Sequence, residues 1–228
     1  MAEPLALGLE FANTAEWHAG PSPEERLTNY RAALSWAKGA EILSEAQAER
    51  LAAQAETRPQ DADAALGRII TLREAVYRIF AAVAQCRHPD EGDLDLLHAE
   101  LREGLPHLRI VAMEHVAGDA SGTASEEQDE ECTRRTPGTD AEGRQFYWTW
   151  GDLDTDLAGF LWPVAGAAAT LLTSGQVARV RMCADETCGW LFIDHSKNAS
   201  RRWCDMGDCG NRAKARRYRA RQKAAPAT

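Results

Sequence analysis

Four cysteines near the C-terminal end are the residues whose type and spacing could do chemistry. Cys183 and Cys188 form one pair and Cys204 and Cys209 another, with four residues inside each pair and fifteen between the pairs. A short loop can turn two thiolates toward one ion at about 2.3 Å, and a second such loop completes a tetrahedron. The spacing therefore predicts a Zn²⁺ site ligated by Cys183, Cys188, Cys204 and Cys209. Four sulfurs close the coordination shell, so the predicted role is structural rather than catalytic. The rival chemistry is a pair of disulfides, which needs an oxidising compartment. The opening Met1-Ala-Glu-Pro-Leu has no basic stretch of the kind that starts a secretory signal, so the expected location is the cytoplasm. His195 lies between the pairs and could replace a sulfur, but four sulfurs suffice, and it reads as a surface residue. Cys86 sits in a helical pattern and reads as a small core residue. Cys132 sits in an acidic, low-complexity stretch and reads as an exposed thiol.

Charge is concentrated around the same cysteines. The 228 residues carry a net charge of −9. Residues 181–228 hold 11 Lys/Arg against 5 Asp/Glu, and residues 1–180 hold the remaining 15 and 30, so the two parts have opposite signs. From Asn211 to Lys223 there are seven basic residues and no acid. On a helix, Arg212, Arg216, Arg219 and Lys223 fall on one stripe, and Lys214, Arg217 and Arg221 on the opposite one. A helix basic on two faces repels itself unless anions surround it, and a nucleic-acid groove supplies them. The predicted nucleic-acid contacts are Arg201, Arg202, Arg212, Lys214, Arg216, Arg217, Arg219, Arg221 and Lys223, with Arg216 or Arg219 placed to reach base edges. Some arginines near the sulfurs, among them Arg181, Arg201, Arg202 and Arg212, have another use: a Zn(Cys)₄ centre has formal charge −2. Tyr218 could pack back on the finger or stack on a base, and packing is the expectation.

The elements that must position this module are mostly helical. Leu5, Leu7, Leu9 and Phe11 alternate like a short strand. Ser22-Pro23-Glu24-Glu25 looks like a helix start, followed by Leu27, Tyr30, Ala33, Leu34 and Ala37 at helical spacing. Ser44 with Gln47 three positions on is a capping-box pattern. From about Ala62 to Cys86, Leu66, Ile69, Ile70, Leu72, Val76, Ile79, Phe80 and Val83 form the strongest amphipathic stripe. A shorter helix runs from about Glu91 to Arg102. Leu108–Met113 and Phe146–Trp150 alternate as two strands of a hairpin. The stretch between them, about 118–143, reads as a disordered insertion. Asp152 to Ser174 reads as helix in two pieces broken at Pro163, and Val177–Met182 as a strand. The fold class expected is α+β: a mostly helical N-terminal domain over 1–178 with a small β-hairpin, then a small treble-clef-like zinc finger over 179–228. Trp190, Phe192 and Trp203 are expected to cover the metal. Gly189 and Gly210 each follow a ligand, where a side chain would obstruct.

The module running Cys183-x4-Cys188-Gly-Trp-Leu-Phe, then Trp203-Cys204-x4-Cys209-Gly210-Asn211-Arg212, ending in Tyr218 and Arg221, resembles the CGNR zinc-finger family over about 183–221. Leu7-Gly-Leu-Glu-Phe-Ala-Asn-Thr14, with Leu27, Tyr30, Leu34 and Trp36, resembles the ABATE domain found ahead of such fingers. The acidic insertion departs from that pattern. The resemblance implies a stress-related transcription regulator.

Residues and resemblance together predict a zinc-dependent, DNA-binding regulator that acts on duplex DNA. Its N-terminal domain would sense a small-molecule or protein effector. RNA binding, and a protein-interaction module with redox-responsive zinc, remain open beside it. The longest uncharged apolar stretch, Leu157 to Leu172, is short for a membrane span and contains Pro163, so no membrane partner is expected. No Gly-rich phosphate loop, nucleophile elbow or paired-histidine motif appears, so no catalytic residues and no enzymatic activity are expected.

Overall fold

The computed structural model describes residues 5–113 and 145–224. Its longest element, α4 (Pro59–Ala84), is the post around which the others assemble. Pro59 enters at the first helical position, where its missing N–H is no loss. Of the stripe read from the sequence, Ile69, Leu72, Val76, Ile79 and Phe80 are buried, while Leu66, Ile70 and Val83 are half-buried at its margins. Helices α1 (Leu7–Ala12), α2 (Tyr30–Gly39), α3 (Glu45–Thr57) and α5 (Glu91–Gly104) pack on it. Helix α6 (Leu161–Thr173) closes the body against α1 and α5. The α1–α6 crossing is close, because a Cβ on Gly8 would lie 3.0 Å from the Cα of Ala168. Helix α3 starts with the full capping box, in which Ser44 and Gln47 satisfy each other's backbone N–H.

Among the described residues, three two-stranded antiparallel sheets decorate the helices. Strands β1 (Ala15–Glu16) and β2 (Glu24–Glu25) pair after α1. Strands β3 (Leu108–Met113) and β4 (Gln145–Trp150) form the expected hairpin, with Ile110 opposite Trp148. Strands β5 (Val180–Met182) and β6 (Leu191–Ile193) belong to the cysteine module. Val180, Leu191 and Ile193 are part of the same apolar core as Phe11, Val76 and Phe160. The cysteine module thus shares the interior of the helical body.

Several local expectations are corrected. Residues 7–12 are helix, not strand: Gly8, Leu9, Phe11 and Ala12 are all buried, and so short an element enclosed on most sides has no period to read. The helix expected at Ser22 starts instead at Tyr30, capped by the Asn29 side chain on the Ala32 N–H. Glu25 is claimed by a tertiary partner, since Arg73 holds both its carboxylate oxygens at 2.6 and 2.9 Å. The region 152–160 is turns, and Pro163 lies in the first turn of a single helix rather than breaking it. Residues Gly175–Arg179 form a 3₁₀ turn, leaving only Val180–Met182 as strand. Cys86 is exposed, at φ 54°, in the left-handed position just past the end of α4. Trp148 is exposed, whereas the Trp150 ring slots between Gly104 and Gly166, where added Cβ atoms would lie 2.8 and 2.7 Å from it. The expectations for 118–143 and Cys132 lie outside the described residues.

Candidate metal centre and basic helix

The first cysteine pair sits on the knuckle that joins β5 to β6. Its base is closed by the Cys183 N–H donating to the Trp190 carbonyl at 2.8 Å. Gly189, just after the second ligand, has φ +68°, and a Cβ there would lie 2.6 Å from the Tyr77 hydroxyl and 2.7 Å from the Ala19 nitrogen. Both backbone shape and close approach require glycine at this point. The second pair brackets one wide helical turn, Met206–Gly210, capped by the Asp205 carboxylate on the Asp208 N–H at 2.8 Å. Helix α7 (Asn211–Ala224) continues directly from that turn. Knuckle, hairpin and helix are the parts of the treble clef expected.

The four sulfurs come together. All lie within 4.8 Å of one another, with Cys188–Cys204 at 3.7 Å and Cys204–Cys209 at 3.5 Å. None is in a disulfide. A tetrahedral centre with metal–sulfur bonds of about 2.3 Å has sulfur–sulfur edges of roughly 3.8 Å, so the cluster has the right size for one ion. The donor chemistry agrees. The thiols alone cannot all ionise: the hydrogen bond from Cys204 holds the Cys188 thiol down to about 6, and the same contact pushes Cys204 up. Burial pushes the Cys209 thiol up to about 12. A divalent cation is the group that lets four clustered thiolates coexist. Cys183, Cys188 and Cys209 are buried and Cys204 is half-buried. Trp17, Trp190 and Trp203 pack against the cluster. Phe192 does not; the Arg201 guanidinium lies over its ring instead, at 4.8 Å. Trp17, from the N-terminal body, is a wall the sequence reading missed, with no signal in a single sequence to assign it.

The arginines divide by use. Arg212 is consumed locally: it donates to the Cys209 sulfur at 2.8 Å, pairs with Asp208 at 3.0 Å and approaches Asp185 at 3.5 Å. Its guanidinium also lies 4.3 Å from the centroid of the Trp17 ring. Arg216 pairs with Asp185 at 2.8 Å. Asp185 stands between the first two ligands and its side chain is fully buried. Burial pushes its carboxyl up, but hydrogen bonds from Arg216 and Thr187 outweigh this and hold it below the usual range. Sequence reasoning missed Asp185, although an acid inside a ligand loop of a basic module was a readable signal. Arg201 donates to the Trp203 and Cys204 carbonyls, Arg202 lies over Trp203, and Arg181 turns to the Ala178 and Val180 carbonyls.

The rest of α7 faces outward. Ala213 is buried against the preceding turn, while Lys214, Arg217 and Arg219 are exposed and, among the described residues, without an ion-pair partner. Tyr218 does not pack on the finger: it is 65% exposed, with its hydroxyl accepting a hydrogen bond from the Gln222 amide at 3.0 Å. The side chains of Arg221 and Lys223 lie outside the described residues. His195 is exposed and away from the sulfur cluster's ligand set.

Two further contacts fix the module to the body. Asn13 exchanges two hydrogen bonds with the Leu191 backbone, and the Tyr77 hydroxyl donates to the Gly189 carbonyl at 3.0 Å. Elsewhere on the body, α1, α5, α6 and β4 border an apolar groove of about 650 Å³ lined by Leu5, Leu7, Leu101, Trp148 and Trp150.

Comparison with known proteins finds two family matches along the chain. Residues 179–222 match the CGNR zinc finger, and residues 5–175 match the ABATE family, described as "Putative stress-induced transcription regulator". No curated protein matches the chain. Among the described residues no helix is long and apolar enough to cross a membrane. With three-quarters of its length matched and a four-cysteine metal site at the position of the finger, the chain belongs to the ABATE family and carries a C-terminal CGNR zinc finger.

Proposed function

We propose that the protein is a zinc-dependent, DNA-binding regulator and not an enzyme. Zn²⁺ held by Cys183, Cys188, Cys204 and Cys209 would be structural, joining the knuckle to the turn that launches α7. One observation carries the nucleic-acid reading. The base of α7 is tied down by Arg212 and Arg216 on buried Asp185, while Lys214, Arg217 and Arg219 are exposed and unpaired among the described residues. Fixed arginines aim the helix, and free cations neutralise phosphates. Arg216 is therefore assigned to aiming, and Arg219 is the better placed of the two to reach a base edge.

The body supplies the sensing part of the proposal. Leu5 and Leu7 line the apolar groove at one end of α1, and Asn13, at its other end, grips β6. An effector in the groove would act on the finger through this six-residue rod. A volume of about 650 Å³ is in the range of small-molecule sites, roughly 300–1,000 Å³.

Fluorescence anisotropy of full-length protein with labelled duplex DNA tests the central claim. Affinity should fall steeply from about 50 to 200 mM salt. Flat or undetectable binding would defeat it. Exposed Tyr218 favours a second reading, since a free aromatic ring on a basic helix can stack on an unpaired base. Hairpin RNA that displaces the duplex at lower concentration would select that reading.

A further inference from the structure

We propose that Cys204 is an oxidation site for small neutral peroxides, with Cys209 as its resolving partner. The inference rests on the four-sulfur metal site and is independent of the nucleic-acid reading. Three observations meet at this sulfur. Cys204 is the only half-buried member of the cluster. A cavity of about 290 Å³ opens onto Cys188, Cys204 and Cys209, but not onto Cys183. Cys209 Sγ is 3.5 Å from Cys204 Sγ, nearer than Cys188 Sγ at 3.7 Å. A water takes up about 30 Å³, so the cavity has room for a molecule the size of hydrogen peroxide. Its rim selects the class of oxidant. Glu16, Asp205 and Asp208 line it, but Glu16 is paired with Arg26 at 3.1 Å and Asp208 with Arg212 at 3.0 Å, so the rim offers no free cation to draw in an anionic thiol or disulfide and leaves a small neutral molecule unopposed.

The chemistry balances without another reagent. The Cys204 thiolate attacks one oxygen of hydrogen peroxide; the S–O bond forms, the O–O bond breaks, and hydroxide leaves and takes up a proton. The Cys209 thiolate then attacks the sulfenic sulfur; the S–S bond forms, the S–O bond breaks, and hydroxide leaves and takes up a second proton from solvent to give the second water. Two thiolates are oxidised by two electrons and one peroxide is reduced to two waters. The metal loses two of its four ligands and leaves. Arg212 loses the thiolate it holds at 2.8 Å, and the turn that launches α7 loses its anchor.

The test uses the full chain with Cys86→Ser and Cys132→Ser, so that only the four clustered thiols remain. Hydrogen peroxide is added to the zinc-loaded protein, and zinc release is followed with a chromophoric chelator. The quenched samples are alkylated, digested with trypsin and weighed. Cys204 and Cys209 share the peptide 203–212, whereas Cys183 and Cys188 share 182–197. The expected result is release of one zinc per chain, with 203–212 lighter by two hydrogens and 182–197 alkylated twice. Cys204→His keeps a fourth ligand and removes the oxidisable sulfur, and should slow release at least about tenfold. Zinc that stays bound while peroxide is consumed, or a disulfide joining the two peptides, overturns the assignment. So does Cys204→His that holds zinc yet releases it at the unmodified rate. If that variant fails to bind zinc, the peptide masses decide alone. A reduced protein that never carries zinc defeats the metal site itself, which is a separate and distinguishable failure.

Discussion

Asn13 and Leu191, 178 positions apart, exchange two hydrogen bonds: the Asn13 amide donates to the Leu191 carbonyl at 2.8 Å, and the Leu191 N–H donates to the Asn13 amide oxygen at 2.9 Å. A side-chain amide acts here as a short added strand on the edge of β6. The helical body and the metal module are joined by the same kind of bond that holds each together.

Removing this clasp should destabilise the whole chain. Asn13→Ala leaves two buried backbone groups unsatisfied, at about 1–3 kcal/mol each. Calorimetry should give one lowered transition, not a separate early melt of residues 179–224. Chelation of the metal should lower the melting temperature of that same transition. Two resolved transitions in either experiment would contradict a shared core.

The basic residues of α7 should separate into two kinds. Lys214→Ala and Arg217→Ala should weaken DNA binding, each reducing the slope of log affinity against log salt by about 1, with no change in melting temperature. Arg216→Ala strips buried Asp185 of its nearest cation and should cost roughly 1–3 kcal/mol of stability as well. Anisotropy titrations and thermal melts on the same three variants check the split.

Acid should act through His18. Its imidazole packs against the Tyr77 ring at a tilt of 35° and bonds to Glu74 at 3.0 Å, while its Nδ1 is buried without a hydrogen-bond partner among the described residues. Burial lowers its pKa below 6.5; Glu74 opposes this and Arg73 adds to it. The unfolded chain therefore binds the extra proton first as pH falls. The stability held by neutral His18 is complete above pH 6.5 and is lost as pH drops through the depressed folded value. The slope can reach about 1.4 kcal/mol per pH unit. His18→Gln should flatten stability between pH 7 and pH 5 relative to the unmodified chain, measured by denaturant midpoints. Equal slopes for the two proteins would remove His18 from the account.

Two glycines should respond oppositely to alanine. Gly189→Ala meets a positive φ and two atoms closer than 3.0 Å, and should cost at least about 1–3 kcal/mol and loosen the metal. Gly67→Ala, in mid α4 with open space around it, should stabilise by about 0.5–1 kcal/mol. Melting curves and zinc affinity for both variants provide the check.

What the sequence made legible follows the range of the forces involved. The cysteine spacing, the Ser44–Gln47 capping box and the stripe of α4 depend on neighbours within a turn or a loop, and each is where it was expected. The start of α2, the burial of Asp185 and the covering by Trp17 depend on partners far along the chain. Arg73 claims Glu25, Arg216 reaches back to the first knuckle, and Trp17 crosses from the body. The short α1 gave a false period because nearly every residue in it is enclosed. An aromatic side chain on a short helix reads as packing, yet Tyr218 is 65% exposed.

Val180, Leu191 and Ile193 lie inside the helical body. A fragment cut at the family boundary would carry these three side chains into water, at about 1.5–3 kcal/mol apiece, without Asn13 to seal the strand edge. The finger is therefore not a transplantable cassette. Grafted onto a foreign protein it would need a replacement floor for its hairpin, so recombination that preserves function must carry both halves together.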